Sequence, residues 1–239
     1  MRMRLRGVLL LLAIGYPLMV HVAVVTGSPR LTALSLGWLA ALALGPAQLR
    51  GQPLAWLAAA AVASVLALGA QGSWLWLPVY APSIAADVFV AFLFARTLKP
   101  TEVPLIEQIV RLLHDPGERL DPGIPAYARR LTAAWAVLFG TLAGINLVLA
   151  LLAAPHGILL LLGMTPPVTL PQRAWSLFAN LLEYLVAALF FVGEFAYRRR
   201  RFPHQPYRNL LHFLLQVAAV TPRALGAGRG PAQLRGRQA

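Results

Sequence analysis

The chain has 239 residues, of which 59% are hydrophobic and 12% are charged, and its formal net charge is +13 at pH 7. Soluble domains carry about 25% charged residues, so this composition excludes an ordinary water-exposed surface and indicates a membrane protein. Membrane proteins collect Lys and Arg in cytoplasmic loops, which accounts for the charge without a nucleic acid partner. The absence of cysteine excludes disulfides, thiolate metal sites and a thiol nucleophile.

Six apolar stretches are long enough to cross a bilayer, whose hydrocarbon core of about 30 Å needs roughly 20 helical residues. The sequence therefore predicts an all-α, polytopic membrane protein, with residues 1–203 as its transmembrane domain. The predicted spans lie near residues 7–26, 31–47, 54–70, 76–95, 131–153 and 174–197.

The first two stretches need separate interpretation. The first follows three arginines, a pattern that also describes a secretory signal peptide. Its length, and the lack of a small-x-small cleavage site before Ser28, favour an uncleaved helix. The second stretch is short, and we expect it to break at Gly45-Pro46 because proline interrupts helical hydrogen bonding.

The distribution of basic residues predicts the orientation. With six spans and the N-terminus inside, the cytoplasmic segments are the N-terminus, the 47–53 loop, the 96–130 loop and the 198–239 tail. They contain 19 of the 21 Lys and Arg residues, and the outer loops contain only Arg30 and Arg173. This asymmetry indicates a bacterial inner-membrane protein with both termini in the cytoplasm.

The cytoplasmic side contains two predicted surface helices. Residues 101–114 alternate apolar and polar positions with helical spacing, which is typical of an amphipathic helix lying on a membrane. A second such helix is expected within residues 204–221, followed by a disordered basic tail at 222–239. On the outer side, the apolar run 158–163 is too short to cross.

Three acidic residues lie inside predicted spans, where a charged side chain is costly and is a functional candidate by default. At 1.5 Å per residue, Glu194 lies about 6 Å, Asp87 about 13 Å and Glu183 about 22 Å from the cytoplasmic ends. Glu194 is expected to pair with Arg129 or Arg130. Asp87 and Glu183 are the candidate catalytic groups, and the alternative for both is a protonated carboxyl with a structural role.

A polar intramembrane cluster is also predicted from depth and helix face. Its members are His21, Asn146, Asn180, Glu183 and, on the same face as Glu183, Glu194. Asparagines in such positions also serve as interhelical hydrogen-bond partners. Enzyme motifs such as H-E-x-x-H, G-x-S-x-G and a glycine-rich phosphate loop are absent, and neither a cofactor nor a metal is expected.

Three segments, Phe92–Ile106, Tyr127–Phe139 and Trp175–Pro203, resemble a family of small proteobacterial inner-membrane proteins that have no assigned biochemical activity. Members of that family are often encoded among genes for fatty-acid-synthase-like pathways that make aryl polyene or xanthomonadin-type pigments. The resemblance covers about half the chain. It implies a setting in pigment or lipid biosynthesis and no mechanism.

In that setting, a basic cytoplasmic face would attract acidic acyl carrier proteins and anionic lipids, although each arginine taken alone is explained as a topology determinant. We therefore expect a non-catalytic accessory protein that docks carrier-bound or lipid-linked intermediates. The alternative is a membrane enzyme or transporter that uses Asp87 and Glu183 on an amphiphilic substrate. The expected docking residues are Arg96, Lys99, Arg129, Arg130, Arg198, Arg199, Arg200 and Arg201.

Overall fold

The computed structural model describes residues 15–69, 72–113 and 121–202, and this part of the chain is almost entirely helical. Short 3₁₀ turns at Ser73–Trp76 and Arg96–Leu98 flank the fourth helix. The helices are α1 (Gly15–Thr26), α2 (Pro29–Gln48), α3 (Pro53–Gly69), α4 (Leu77–Ala95), α5 (Leu105–Leu113), α6 (Ile124–Leu152), α7 (Ile158–Leu161), α8 (Gln172–Leu177), a π-helix (Phe178–Leu182) and α9 (Glu183–Arg201).

Four continuous helical stretches in the described residues are long and apolar enough to cross a membrane: Pro29–Gln48, Ser73–Leu98, Ile124–Leu152 and Gln172–Arg201. They contain 20 to 30 residues each, and their mean hydropathy lies between 1.3 and 2.1. Two shorter apolar helices, α1 and α3, accompany them. The all-α membrane class is thereby confirmed by length and composition, while the count of six spans stays a prediction.

Helix α2 does not end where the sequence predicted. It begins after Ser28, whose side chain accepts a hydrogen bond from the Leu31 N–H, and it continues through Pro46 to Gln48. Proline removes one backbone donor and therefore one helical hydrogen bond, but the helix continues for two residues after Pro46. The Leu49 N–H then bonds to the Gly45 carbonyl at 2.9 Å and closes the helix. The predicted break at Gly45-Pro46 was wrong.

The chain forms two compact units, of which unit 1 comprises residues 1–87 and 141–187. In its buried core, α1 packs with Trp76 and Tyr80 around the start of α4 and with Trp175 in α8. Tyr80 and Trp175 meet edge to face with ring centroids 4.4 Å apart. Both rings are almost fully buried, as are Val20 and Trp76. This aromatic core fixes the part of the chain that contains the polar cluster described below.

The long loop between α6 and α8 is held by two-residue strands. Strand β1 (Ala153–Ala154) pairs in parallel with β2 (Leu170–Pro171). Gly157 is required between β1 and α7, because a Cβ at that position would lie 2.0 Å from the Ala153 carbonyl oxygen. The apolar run predicted to be too short to cross forms only the single turn α7.

Unit 2 comprises residues 88–140 and 188–239, and α5 is its amphipathic element. The helix is shorter than the predicted 101–114, since it begins at Leu105. Two threonine hydroxyls accept hydrogen bonds from the first backbone amides of α5. Thr97 accepts from the Leu105 N–H at 3.0 Å, and Thr132 accepts from the Ile106 N–H at 3.3 Å. These bonds satisfy amide groups that have no partner within the helix, and they attach α5 to its neighbours in unit 2.

The apolar face of α5 packs as predicted, but its polar face differs at one position. Leu105 and Ile109 pack against Phe94, and Val110 packs in a second cluster with Phe202. Glu107 occupies a polar position of the amphipathic pattern, yet it is only 6% exposed. Its carboxylate pairs with Arg111 one turn later, which compensates for the burial. The predicted segments 7–14, 204–221 and 222–239 lie outside the described residues.

Candidate functional site

Two acidic side chains of unit 1, Asp87 and Glu183, meet at a buried asparagine. Asn146 is fully buried and donates from Nδ2 to Glu183 Oε2 at 3.2 Å. The Asp87 carboxyl lies near enough to interact with both Asn146 and Glu183, and the two acidic residues are only 5% and 6% exposed. The depths counted from sequence separated Asp87 from Glu183 by about 9 Å. That separation was wrong, because the count assumed upright helices ending in one plane.

The orientation of the Asn146 amide is determined by Trp175. The indole Nε1 donates to Asn146 Oδ1 at 2.7 Å, and Trp175 is 1% exposed. An indole N–H can only donate, so the amide oxygen must face the tryptophan. The amide nitrogen therefore faces the carboxyls. The sequence did not single out Trp175 as a functional residue, because nothing in its neighbourhood predicts the asparagine that it contacts.

A π-helix lies between Trp175 and Glu183. The Glu183 N–H bonds to the Phe178 carbonyl five residues earlier, in place of the usual fourth residue. Single π-helical turns within α-helices are rare and often occur at functional sites. The sequence predicts an uninterrupted α-helix over residues 174–197, because hydrophobic periodicity gives no signal for this turn.

The other members of the predicted cluster gather at a different residue. His21 Nδ1 lies 3.1 Å from Ser176 Oγ. Asn180 Nδ2 donates to the same hydroxyl at 3.2 Å and to the Ser176 carbonyl at 2.9 Å. The predicted cluster thus divides into a His21–Ser176–Asn180 group and the group around Asn146. Ser176 is fully buried, so its hydroxyl is inaccessible to a substrate and acts as a hydrogen-bond partner.

Glu194 lies in unit 2 and has partners of its own. Its Oε1 is 3.0 Å from Arg198 Nε and accepts a hydrogen bond from the Tyr127 hydroxyl at 2.9 Å. The predicted pairing with Arg129 or Arg130 was wrong, since residues four apart on one helix are neighbours and Arg198 follows Glu194 by four. Arg129 instead donates to the Leu98 carbonyl, an acceptor exposed at a helix end.

A cavity of about 340 Å³ lies in unit 2 beside this ion pair. Its wall is aliphatic and aromatic, and the ring of Trp135 lies 6.0 Å from Phe94, 5.7 Å from Phe139 and 6.4 Å from Phe191 by centroid. Glu194 and Arg198 supply the charged part of the lining. Ligand sites are typically apolar cavities of about 300–1,000 Å³ with a few polar groups, and this cavity has that composition.

A larger groove of about 740 Å³ runs along α2 and α3 in unit 1. It is open and lined mostly by alanine and leucine, with Arg30 as its charged residue. Such a groove has no set of converging polar groups that would orient a specific ligand. Lipid chains are sufficient to fill it.

The predicted docking residues divide by exposure. The side chain of Arg198 is 7% exposed and belongs to the cavity lining, so it does not lie on a surface. Arg96 and Arg129 are half-buried. The exposed members are Lys99, Arg130, Arg199, Arg200 and Arg201.

A second polar group in unit 1 surrounds His156 in the long loop. The Tyr80 hydroxyl donates to the His156 carbonyl at 3.0 Å and accepts from Gln172 Nε2 at 3.1 Å. Gln172 Oε1 lies 3.3 Å from His156 Nδ1, and Trp76 stacks on the imidazole with centroids 5.0 Å apart. These contacts link both ends of the loop to α4, which indicates a structural role for the histidine.

No protein-family model matches the chain, and no curated protein or solved structure matches it either. Within residues 15–69, 72–113 and 121–202, no group of three or more His, Asp or Glu side chains is placed to hold a metal ion. Among the described residues, the strongest candidates for a functional site are therefore the carboxyl pair of unit 1 and the cavity of unit 2.

Proposed function

We propose that this protein is an inner-membrane accessory protein that holds carrier-bound or lipid-linked intermediates of a lipid or polyene-type pathway at the cytoplasmic face. In this proposal the chain crosses the membrane six times, with both termini in the cytoplasm. The observation that supports it is the apolar cavity of unit 2, which has one ion pair in its wall.

The chemistry of the cavity fits one apolar chain. Its volume of about 340 Å³ is at the small end of the range for ligand sites, which favours a single acyl or polyene chain over a whole phospholipid. The rings of Trp135, Phe94 and Phe139 in the wall provide flat apolar contacts. The Glu194–Arg198 pair provides a polar point beside which the head of an amphiphile can lie.

The exposed basic residues supply the docking part of the proposal. Lys99, Arg130 and Arg199–Arg201 are exposed. Each basic residue near an anionic membrane surface contributes about 1 kcal/mol, and an acidic carrier protein presents the same kind of charge. Delivery of a chain from a carrier to the cavity would begin at these residues.

The test is binding of a fluorescent fatty acid to the full-length protein in nanodiscs. Leu113→Trp fills the cavity from the end of α5 and should weaken binding by tenfold or more, which corresponds to about 1.4 kcal/mol. Leu112→Trp is the matched control, because the neighbouring Leu112 is 43% exposed and does not line the cavity. Equal affinities of wild type and both variants would contradict the proposal.

A second candidate function is a membrane enzyme or transporter acting on an amphiphilic substrate through Asp87 and Glu183. The contact between their carboxyls inside unit 1 favours it. It requires that Asp87→Asn and Glu183→Gln each abolish pathway output in a deletion strain while the amount of protein in the membrane is unchanged. If the amount of protein in the membrane fell and the amount of pathway product fell in proportion, the pair would instead have a role in folding.

A further inference from the structure

The proximity of Asp87 and Glu183 favours a bound proton. Two ionised carboxylates repel each other, whereas a proton on one of them removes that repulsion and allows the two carboxyls to hydrogen-bond. Repulsion is strongest where water is excluded, and both residues are at least nine-tenths buried. Within residues 15–69, 72–113 and 121–202, no basic side chain lies at ion-pair distance from either carboxyl.

The neighbouring groups cannot replace that proton. Asn146 donates to the Glu183 carboxyl, but its hydrogens stay on the amide. Tyr184 interacts electrostatically with both carboxyls, but it is itself an acid and brings no positive charge. His21 is engaged with Ser176. The balancing proton must therefore lie on Asp87 or Glu183.

A second observation also indicates a bound proton. Asp87 Oδ2 is buried and has no hydrogen-bond partner among the described residues. An ionised oxygen left in this state carries the full cost of desolvation, whereas a proton on the carboxyl removes the charge. A metal ion fits less well, because hard cations need several oxygen ligands and Asn146 presents its N–H groups here, while Trp175 holds its oxygen.

We propose that Asp87 and Glu183 form a proton-binding site that holds one shared proton inside unit 1, with Asn146 and Trp175 as its positioning residues. This inference rests on the second candidate function, in which the protein is an enzyme or transporter. It adds that the ion bound by the carboxyl pair is a proton. Asn146 donates from its amide nitrogen to Glu183 and interacts with Asp87, and Trp175 prevents that amide from turning.

The test is labelling by an apolar carbodiimide, which adds to protonated carboxyls in membrane proteins. The full-length protein in detergent is treated at neutral pH, and the adducts are located by mass spectrometry of peptides. We expect one adduct per chain, on Asp87 or Glu183, and none in the Asp87→Asn/Glu183→Gln double variant. Glu194→Gln is the control and should label as the wild type does, because Glu194 is ion-paired with Arg198.

Positioning is tested with Trp175→Phe, which keeps an aromatic ring and removes the indole N–H. Freed from that bond, the Asn146 amide can turn its oxygen toward the carboxyls. The adduct should then redistribute between Asp87 and Glu183 while the total per chain stays the same. An unchanged distribution would remove Trp175 and Asn146 from the positioning role.

Two results with the wild-type protein alone would overturn the proton site. One is the absence of an adduct on both carboxyls, which would mean that both are ionised. The other is protection by excess sodium or potassium, which would assign the site to a metal cation. Normal labelling together with unchanged pathway output in the single variants would leave the proton site intact and remove the second candidate function.

Discussion

Trp175 and Asn146 are joined by a 2.7 Å hydrogen bond in which both partners are buried. The bond links the helix that begins at Gln172 to α6. It also fixes the orientation of the asparagine amide, with the oxygen toward Trp175 and the nitrogen toward the carboxyls. Within a low-dielectric interior such a bond is strong, and a partner left without it is correspondingly costly.

Trp175→Phe should therefore destabilise the protein by about 1–3 kcal/mol, because the buried Asn146 oxygen loses its donor. The ring contact with Tyr80 is kept by phenylalanine, so the effect reports the hydrogen bond. Thermal unfolding in detergent measures it. Trp56→Phe is the matched control, since Trp56 is 60% exposed, and equal midpoints for the two variants would contradict the prediction.

Arg198→Gln should cost about 3–5 kcal/mol, because it leaves Glu194 as a buried charge without its partner. Arg199→Gln changes the adjacent exposed residue and should alter stability by no more than about 0.5 kcal/mol. The double variant Glu194→Gln/Arg198→Gln should recover much of the loss, since no buried charge remains. Denaturation of the three purified variants would test this order, and a destabilised Arg199→Gln would refute it.

Replacing Arg199, Arg200 and Arg201 by glutamine should weaken association with an acidic acyl carrier protein or with anionic vesicles. At about 1 kcal/mol per residue, the loss is on the order of a hundredfold at low salt. It should shrink as salt is raised, because exposed charges are screened. Arg173→Gln removes one exposed arginine that is predicted on the outer side and should change nothing. Binding that is insensitive to salt in the wild type would eliminate the docking proposal.

Reporter fusions test the proposed topology. Fusions after residues 28, 75 and 165 should report the periplasm, and those after 50, 115 and 210 the cytoplasm. The shortest of the proposed spans that lie wholly within the described residues is α3, with 17 residues. If α2 and α3 formed a re-entrant hairpin, the fusion after 50 alone would change. A cytoplasmic result at 165 would move Arg199–Arg201 outside and refute the docking proposal.

The sequence predicted element types well where hydrophobicity decides the outcome. The fourth span was expected at 76–95 and α4 is Leu77–Ala95, because a long apolar stretch has one stable arrangement in lipid. The pairing of polar residues was predicted less well. Asn146 and Glu183 were placed together correctly, but Asp87 was not, since its contact depends on how helices tilt and rotate, which packing sets and a count of residues does not reveal.

The partners of single polar groups were the least predictable. Thr97 and Thr132 accept the first amide hydrogens of α5, and nothing in their sequence neighbourhood distinguishes them from other threonines. The Glu194–Arg198 pair follows from helical spacing and was available in the sequence. It was overlooked because Arg198 had been assigned to an exposed basic run.

The π-helical turn at Phe178–Leu182 sets the direction in which Glu183 points relative to Trp175. Trp175 and Glu183 are eight positions apart, and eight residues of a regular α-helix rotate by about 80° beyond two full turns. In such a helix the two side chains would diverge, and only one would face Asn146. The wider turn absorbs the surplus residue, so both reach the same amide. The carboxyl site thus depends on the length of this segment as much as on its composition: removing one residue would preserve the alignment, and adding one would rotate Glu183 away.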